Sequence, residues 1–411
     1  MEQKRLYRTI DIIASKKFNT TKELISEVLN EVINDPENKI IGGRVWELST
    51  TDEAYKLIYQ TGKLEKIEDG FSLKISENPS FSLIEKERTI LTFETNEILK
   101  EKGILKYSAS GLGDKIKVSG KYYYKYLLAV NSAEIDNNLL YILNILATVL
   151  TSKIRERKLE FRQKNLISHI DKAKQLQRSI LPDHEYEFHD YNIFGVTVPA
   201  QIISGDFFDY IKIGAGEERL GIVVGDAASK GLAAAAEAMY ISGAMRMAST
   251  FQIKISPLMS RMNNLVNKIF SDDRFASLFY GEISDDEKGL CLYANAGHNW
   301  PIFISAKDKK LSYLKGTGPL LGPTPKSKYE THSINFNPGD VLVIYSDGIV
   351  EAANQNYDFY EEKRLEQVIL ENMHHTPREI ALQILDDVAK FSTLESQYQD
   401  DKTIVVIKKN E

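Results

Sequence analysis

The chain has 411 residues, 43% hydrophobic and 27% charged, with a formal net charge of −6. That length suits two or three domains of ordinary globular composition. The acidic balance, with no basic block, argues against a nucleic-acid partner, and the single cysteine, Cys291, excludes an intramolecular disulfide and a Cys/His zinc cluster.

The first residues are basic but lead into no long apolar stretch with a small-residue cleavage site, so no secretory signal is expected. Leu6, Ile10, Ile12 and Ile13, then Leu24, Val28 and Val32, predict a helical opening. Strand-like runs follow at Ile40–Trp46, Ala54–Tyr59 and Tyr122–Val130, with polar turns at Gly62, Gly70, Gly111 and Gly113 between them. The adjacent Tyr122, Tyr123 and Tyr124 either line a ligand pocket or belong to a strand with one packed and one solvated face. Leu139, Leu143, Leu146, Leu150 and Ile154 then predict an apolar helix that closes a first unit over residues 1–154. The apolar stretch Leu139–Leu150 contains Asn144 and Thr148 and is too short and polar for a membrane span, so a cytoplasmic location is expected.

Residues 155–182 are highly charged and lack Gly and Pro before Pro182, which predicts a connecting helix. Leu166, Ile170, Ala173, Leu176 and Ile180 recur along it at helical spacing. A homodimer paired through this helix is expected; docking of the helix on its own C-terminal domain explains the same pattern. In residues 183–411, strands are predicted at Tyr191–Thr197, Leu220–Val224, Phe275–Ile283, Leu290–Ala294, Ile302–Ser305, Val341–Tyr345 and Thr403–Lys408. Helices are predicted at Leu232–Phe251, Ile255–Phe270, Glu361–Glu371 and Pro377–Thr393. The pattern fits an α+β architecture, sheets packed on each other with helices outside.

Four acidic motifs interrupt this second half: Ser204-Gly205-Asp206 within SGDFFD, Gly225-Asp226-Ala227, Ser346-Asp347-Gly348, and Asp400-Asp401-Lys402-Thr403. Each places a carboxylate at the end or entry of a predicted strand. Converging carboxylates repel one another and are costly to desolvate, so they make a poor structural device. They suit hard divalent cations, which prefer carboxylate, carbonyl and water oxygens. Phe207 and Phe208 are expected to pack beneath the first acidic loop.

In this order the motifs resemble those of the bacterial PP2C-like serine/threonine phosphatases of the SpoIIE/RsbU type. SGDFFDY, GDAASKGLAAA, NAGHNWP, YSDGIVEAAN and DDKTIVVIK carry the resemblance, over about residues 170–408. It implies a PP2C-like α/β/β/α sandwich of two antiparallel sheets flanked by helices, and two divalent ions, Mn²⁺ or Mg²⁺. By the same resemblance Asp206 and Asp226 would hold one ion, and Asp226, the Ala227 carbonyl, Asp347 and Asp400 the other. Asp209 and Asp401 would orient ligands from behind. Alanine at 227 and 228, where the family often has glycine, is a departure. The implied reaction is hydrolysis of phosphoserine or phosphothreonine on a partner protein by a metal-activated water, without a phosphoenzyme. A STAS-type anti-sigma-factor antagonist is one partner of that kind. The layout of the first unit is similar to a GAF-type sensory domain, with PAS its nearest competitor, open to a small ligand or an upstream protein.

Two other classes compete: a catalytically inactive phosphatase-fold binding module, and another two-metal phosphoryl-transfer enzyme such as a nuclease. Retention of all four aspartates disfavours the first and the acidic composition the second. His298 and Lys230 near these motifs are expected to be a structural turn residue and a solvated loop lysine. The small-residue helix after Asp226 is expected to carry regulation from the connecting helix to the metal-bearing loop.

Overall fold

The computed structural model describes residues 3–34, 40–132, 137–214, 218–270, 274–286, 288–392 and 399–410. The chain divides into two units, Met1–Asn165 and Leu166–Glu411. The first opens with α1 (Gln3–Ser15) and α2 (Thr21–Ile33). A capping box between Thr20 and Glu23 starts α2 and satisfies its free N-terminal amides. Then come β1 (Ile40–Ser49), β2 (Ala54–Gly62), β3 (Ser72–Lys74), α3 (Ser80–Glu87), β4 (Thr89–Phe93), α4 (Glu97–Glu101), β5 (Lys106–Val118) and β6 (Lys121–Ser132). The strands form one antiparallel sheet in the order β3-β2-β1-β6-β5-β4.

Strand alternation divides this sheet between two cores. Val45, Leu128 and Val130 face Leu24, Val28 and Leu143. Trp46, Leu127 and Ala109 face Phe81, Ile84 and Leu99. Gly111 and Gly113, expected in a turn, lie inside β5. A Cβ on Gly111 would stand 2.1 Å from the Tyr124 ring, so this glycine makes room for an aromatic neighbour across the strand pair rather than for a bend. Of the three tyrosines, Tyr123 is buried and Tyr122 exposed, as the packed-and-solvated strand reading expects.

Helix α5 (Asn137–Ile180) is a single 44-residue element. The closing and connecting helices expected separately are therefore continuous, since no glycine or proline interrupts them. Among the described residues, no helix is long and apolar enough to cross a membrane.

The second unit holds β7 (Glu185–Phe188), β8 (Tyr191–Val198), β9 (Asp206–Ile213), β10 (Arg219–Ala227), α6 (Leu232–Ser249), α7 (Ile255–Ile269), β11 (Ala276–Ser284), β12 (Leu290–Ala296), β13 (Ile302–Ile304), β14 (Leu311–Tyr313), β15 (His332–Asn335) and β16 (Val341–Tyr345). It ends with α8 (Asp347–Val350), α9 (Glu361–Asn372), α10 (Pro377–Phe391) and β17 (Lys402–Lys409). Two antiparallel sheets result, β15-β12-β11-β10-β9 and β14-β13-β16-β17-β8-β7. Phe208, Ile222 and Val224 of the first meet Ile193, Ile344 and Val405 of the second in a shared core. Their outer faces are covered by α6 and α7, through Ile241 and Met259, and by α9 and α10, through Leu365 and Ile384. This is a four-layer α+β sandwich of the PP2C-like kind. Cys291 lies in the inter-sheet core, 1% exposed, and burial pushes its thiol up to about 12. It behaves as a small hydrophobe.

Candidate active site

The site forms where β9 begins and β10 ends. Asp206, the first residue of β9, is the direct cross-strand partner of Asp226, next to last in β10. Period-two alternation then assigns the faces. Asp206 shares its face with Phe208, and Asp226 with Val224 and Ile222, which all belong to the inter-sheet core. Both carboxylates therefore stand on the inner face, at the rim of the sandwich. Phe207 and Asp209 fall on the opposite face. The expectation that both phenylalanines underlie one acidic loop is thus corrected, because Phe207 enters the core beneath α6 and Phe208 the core between the sheets.

The second sheet supplies the other two motifs. β16 and β17 are neighbours, with Tyr345 opposite Ile404. Ser346 and Thr403 lock the strand ends together: Ser346 N–H donates to the Thr403 carbonyl at 3.0 Å, and Thr403 N–H to Ser346 Oγ at 2.9 Å. This brings Asp347, at the start of α8, and Asp400, just before β17, to the same rim. Gly348 allows the junction, because a Cβ there would stand 2.0 Å from the Asp401 carbonyl oxygen.

The electrostatics are those of crowded, half-sealed anions. Asp206 is 2% exposed, its Oδ2 has no hydrogen-bond partner, and burial together with Asp226 holds its carboxyl well above the usual range. The hydroxyls of Ser346 and Thr403 act the other way. Burial, then Asp347 and Asp400, push Asp226 up to about 7. Burial, then Glu351 and Asp400, raise Asp347 to about 6, opposed by the Gly348 amide and Lys230. Like charges directly opposite each other across a strand pair are destabilising, and buried ions need partners. Among the described residues, no three acidic, imidazole or thiol groups are drawn close enough to make a ready-formed metal-binding group. The donor chemistry nevertheless fits hard divalent cations: oxygen ligands, an orphaned buried carboxylate oxygen, and two further carboxyls raised by burial and then by neighbouring acidic groups.

Asp401 and Asp209 face elsewhere. Asp401 accepts from Ala200 N–H at 2.8 Å and Gly205 N–H at 2.7 Å, one oxygen for each, and so pins the loop leading into Asp206. Asp209, 1% exposed, accepts from Arg246 of α6 through both oxygens and from Ser242 Oγ at 3.3 Å. Arg246 also donates to the Ile180 carbonyl at 2.8 Å, at the end of α5. Gln177 of α5 bonds both Ser204 N–H and the Ser204 carbonyl. Neither Arg246 nor Gln177 is singled out by the sequence motifs; the available signal for Arg246 is one basic residue in an Ala- and Met-rich helix. Replacing Arg246 by Met should leave Asp209 buried and unpaired and cost about 2–3 kcal/mol in urea unfolding. Asp209→Asn in the same background should recover part of that loss.

His298 is sealed, 3% exposed, with Nδ1 2.8 Å from Ser277 Oγ and its main chain tied to Asn295. Burial lowers its imidazole to about 4, against the opposing backbone of Tyr345. Its burial and its bonds to Ser277 and Asn295 fit the structural turn residue expected from the sequence. Lys230 is exposed and 3.3 Å from Asp400.

The C-terminal unit has a PP2C-like fold, and with the relatives that follow, the chain is a protein phosphatase, a hydrolase. Residues 216–410 match the family described as Stage II sporulation protein E (SpoIIE), a span that includes the motifs at Asp226, Asp347 and Asp400 and begins just after that at Asp206. The chain is 28% identical over 247 residues to the phosphoserine phosphatase RsbU of Bacillus subtilis, covering 60% of this chain and 72% of that protein. It is 26% identical over 270 residues to protein IcfG of Synechocystis, covering 58% of this chain and 40% of that one. The SiaA-PP2C domain of Pseudomonas aeruginosa superposes with a TM-score of 0.51 at 18% identity, covering 60% of this chain and 98% of that domain.

Proposed function

We propose that the C-terminal unit hydrolyses phosphoserine or phosphothreonine on a partner protein, with two divalent ions, Mn²⁺ or Mg²⁺, as cofactors. The observation that carries this reading is the cross-strand pair Asp206–Asp226, two like charges placed opposite each other on the inner face of a phosphatase sandwich. Asp206 and Asp226 would hold one ion; Asp226, the Ala227 carbonyl, Asp347 and Asp400 would hold the other. When bound, the ions supply an activated water and offset charge on the phosphoryl oxygens. The remaining residues position that set. Asp401 fixes the loop before Asp206, Ser346 and Thr403 couple the two strand ends, and Lys230 offers an exposed cation beside Asp400 to an incoming phosphate.

The kinship with RsbU supports a STAS-type anti-sigma-factor antagonist as the substrate protein, and a cytoplasmic setting. Hydrolysis of p-nitrophenyl phosphate should appear with Mn²⁺ and disappear with chelator. Asp347→Asn should lower it on the order of a hundredfold or more. Metal-independent turnover, or full activity in Asp347→Asn, would falsify the reading in favour of a binding module or a different site.

The N-terminal unit serves as a GAF-like sensory domain in this proposal, supported by its six-stranded antiparallel sheet covered by helices. Its signal would reach the site through α5, whose Gln177 and Ile180 hold Ser204 and Arg246. Pairing of α5 with a second copy is supported by the exposed Leu159, Leu166 and Leu176. Removing residues 1–150 should shift the Mn²⁺ concentration that gives half-maximal activity by several-fold; an unchanged curve would count against the coupling.

A further inference from the structure

Arg44 is an anomaly of the N-terminal sheet. It sits within β1, 4% exposed, where a buried guanidinium is costly unless it meets a carboxylate. Its Nη1 donates to Asn131 Oδ1 at 3.0 Å and its Nη2 to the Glu65 carbonyl at 3.3 Å, both neutral acceptors. Its Nε–H has no partner, and among the described residues no carboxylate forms an ion pair with it. Burial brings it down to about 10, opposed by the more distant Glu94.

Arg44 lines a half-open cavity between the sheet and α3 and α4. Tyr122, Tyr123 and Tyr124 do not line it. As it stands the cavity has room for about three water molecules. Ala109 and Ala129 contribute to its wall, and Ala129 is the cross-strand partner of Arg44, so space is kept beside the guanidinium. Trp46, Phe81 and Leu127 supply an apolar wall. Glu94 also lines the cavity, its Oε1 accepting from Thr95 N–H and Asn96 N–H.

We propose that this cavity binds a small monocarboxylate, of about six heavy atoms or fewer, whose carboxylate pairs with Arg44 beside Asn131. A single anionic group satisfies the unpartnered Nε–H and supplies a directly bonded countercharge, which Glu94, acting only from a distance, does not. Glu94 sets the class, because a dicarboxylate or a phosphate would bring surplus negative charge toward it. The apolar wall selects a short hydrocarbon body. The site stands apart from the phosphatase reading, and its test does not use catalysis.

The test is calorimetric titration of the full chain with acetate, propionate, L-lactate and L-alanine, against succinate and phosphate. At least one monocarboxylate should saturate with half-occupancy on the order of 1 mM, at least tenfold tighter than either dianion. Asn131→Asp places a carboxylate against Arg44 from within and should weaken binding at least tenfold while keeping the far-UV circular dichroism. Ala129→Val fills the space without altering charge and should have the same effect on binding. No saturation by any of the four ligands, equal binding of the dianions, or undiminished binding in a folded variant of either kind would overturn the proposal.

Discussion

Asp226→Asn should remove catalysis while making the metal-free protein more stable. The two effects have one origin. Asp226 is held at about 7 by burial and by Asp347 and Asp400, against an ordinary value of 3.8. A carboxyl raised on folding binds more protons in the folded state than in the unfolded chain between those two values. Its contribution is therefore most favourable below about pH 4 and is lost as pH rises toward 7. Above that range the metal-free wild type carries the full penalty, on the order of 2–4 kcal/mol. Asparagine keeps the shape and has no charge to desolvate. Urea unfolding in chelator at pH 8 should show a higher midpoint for Asp226→Asn than for wild type, with the difference vanishing near pH 4. Saturating Mn²⁺ should stabilise the wild type and leave the variant little changed. Turnover of p-nitrophenyl phosphate should fall on the order of a thousandfold. A less stable variant at pH 8 would mean that Asp226 is satisfied by protein groups alone.

Gly348→Ala should be among the most damaging single-methyl substitutions in the C-terminal unit. The added Cβ would meet Asp401 O at 2.0 Å, Asp401 C at 2.9 Å and Asp400 C at 3.2 Å. All three are main-chain atoms, so no side chain can turn aside. Relief requires the start of α8 to separate from the entry to β17, which parts Asp347 from Asp400 and strains the Ser346–Thr403 bonds. The expected loss is about 3 kcal/mol or more, with Mn²⁺-dependent activity abolished. Gly243→Ala is the control. That glycine is exposed within α6 with nothing within 4 Å of the added methyl, and the change should stabilise by about 0.5–1 kcal/mol. Similar urea midpoints for the two variants would show that the junction at Gly348 yields easily.

The strands that carry the acidic motifs were the most legible part of the chain. β10 and β16 are continuous apolar runs buried on both faces, and such runs announce themselves. β5 was hidden, because glycine reads as a turn unless the ring it accommodates is known, and Tyr124 lies on the next strand. The division of labour between Asp206 and Asp209 was partly available: residues three apart in a strand fall on opposite faces, but SGDFFD reads as a loop until its pairing with β10 is seen. Arg246 and Gln177 were beyond reach, since their roles depend on partners 37 and 27 residues away. Arg44 could have been noticed as a cation among the apolar residues of β1, although its lack of an ion-pair partner is a property of the folded sheet.

The seclusion of Cys291 has a practical consequence. The chain's one thiol is shut between the sheets and stays protonated across the working pH range, so maleimide and iodoacetamide reagents should pass it by. Cysteines introduced at exposed positions on α5 and beside Lys230 can therefore carry spectroscopic labels on an otherwise native background, and the distance between them can be followed as effectors are added.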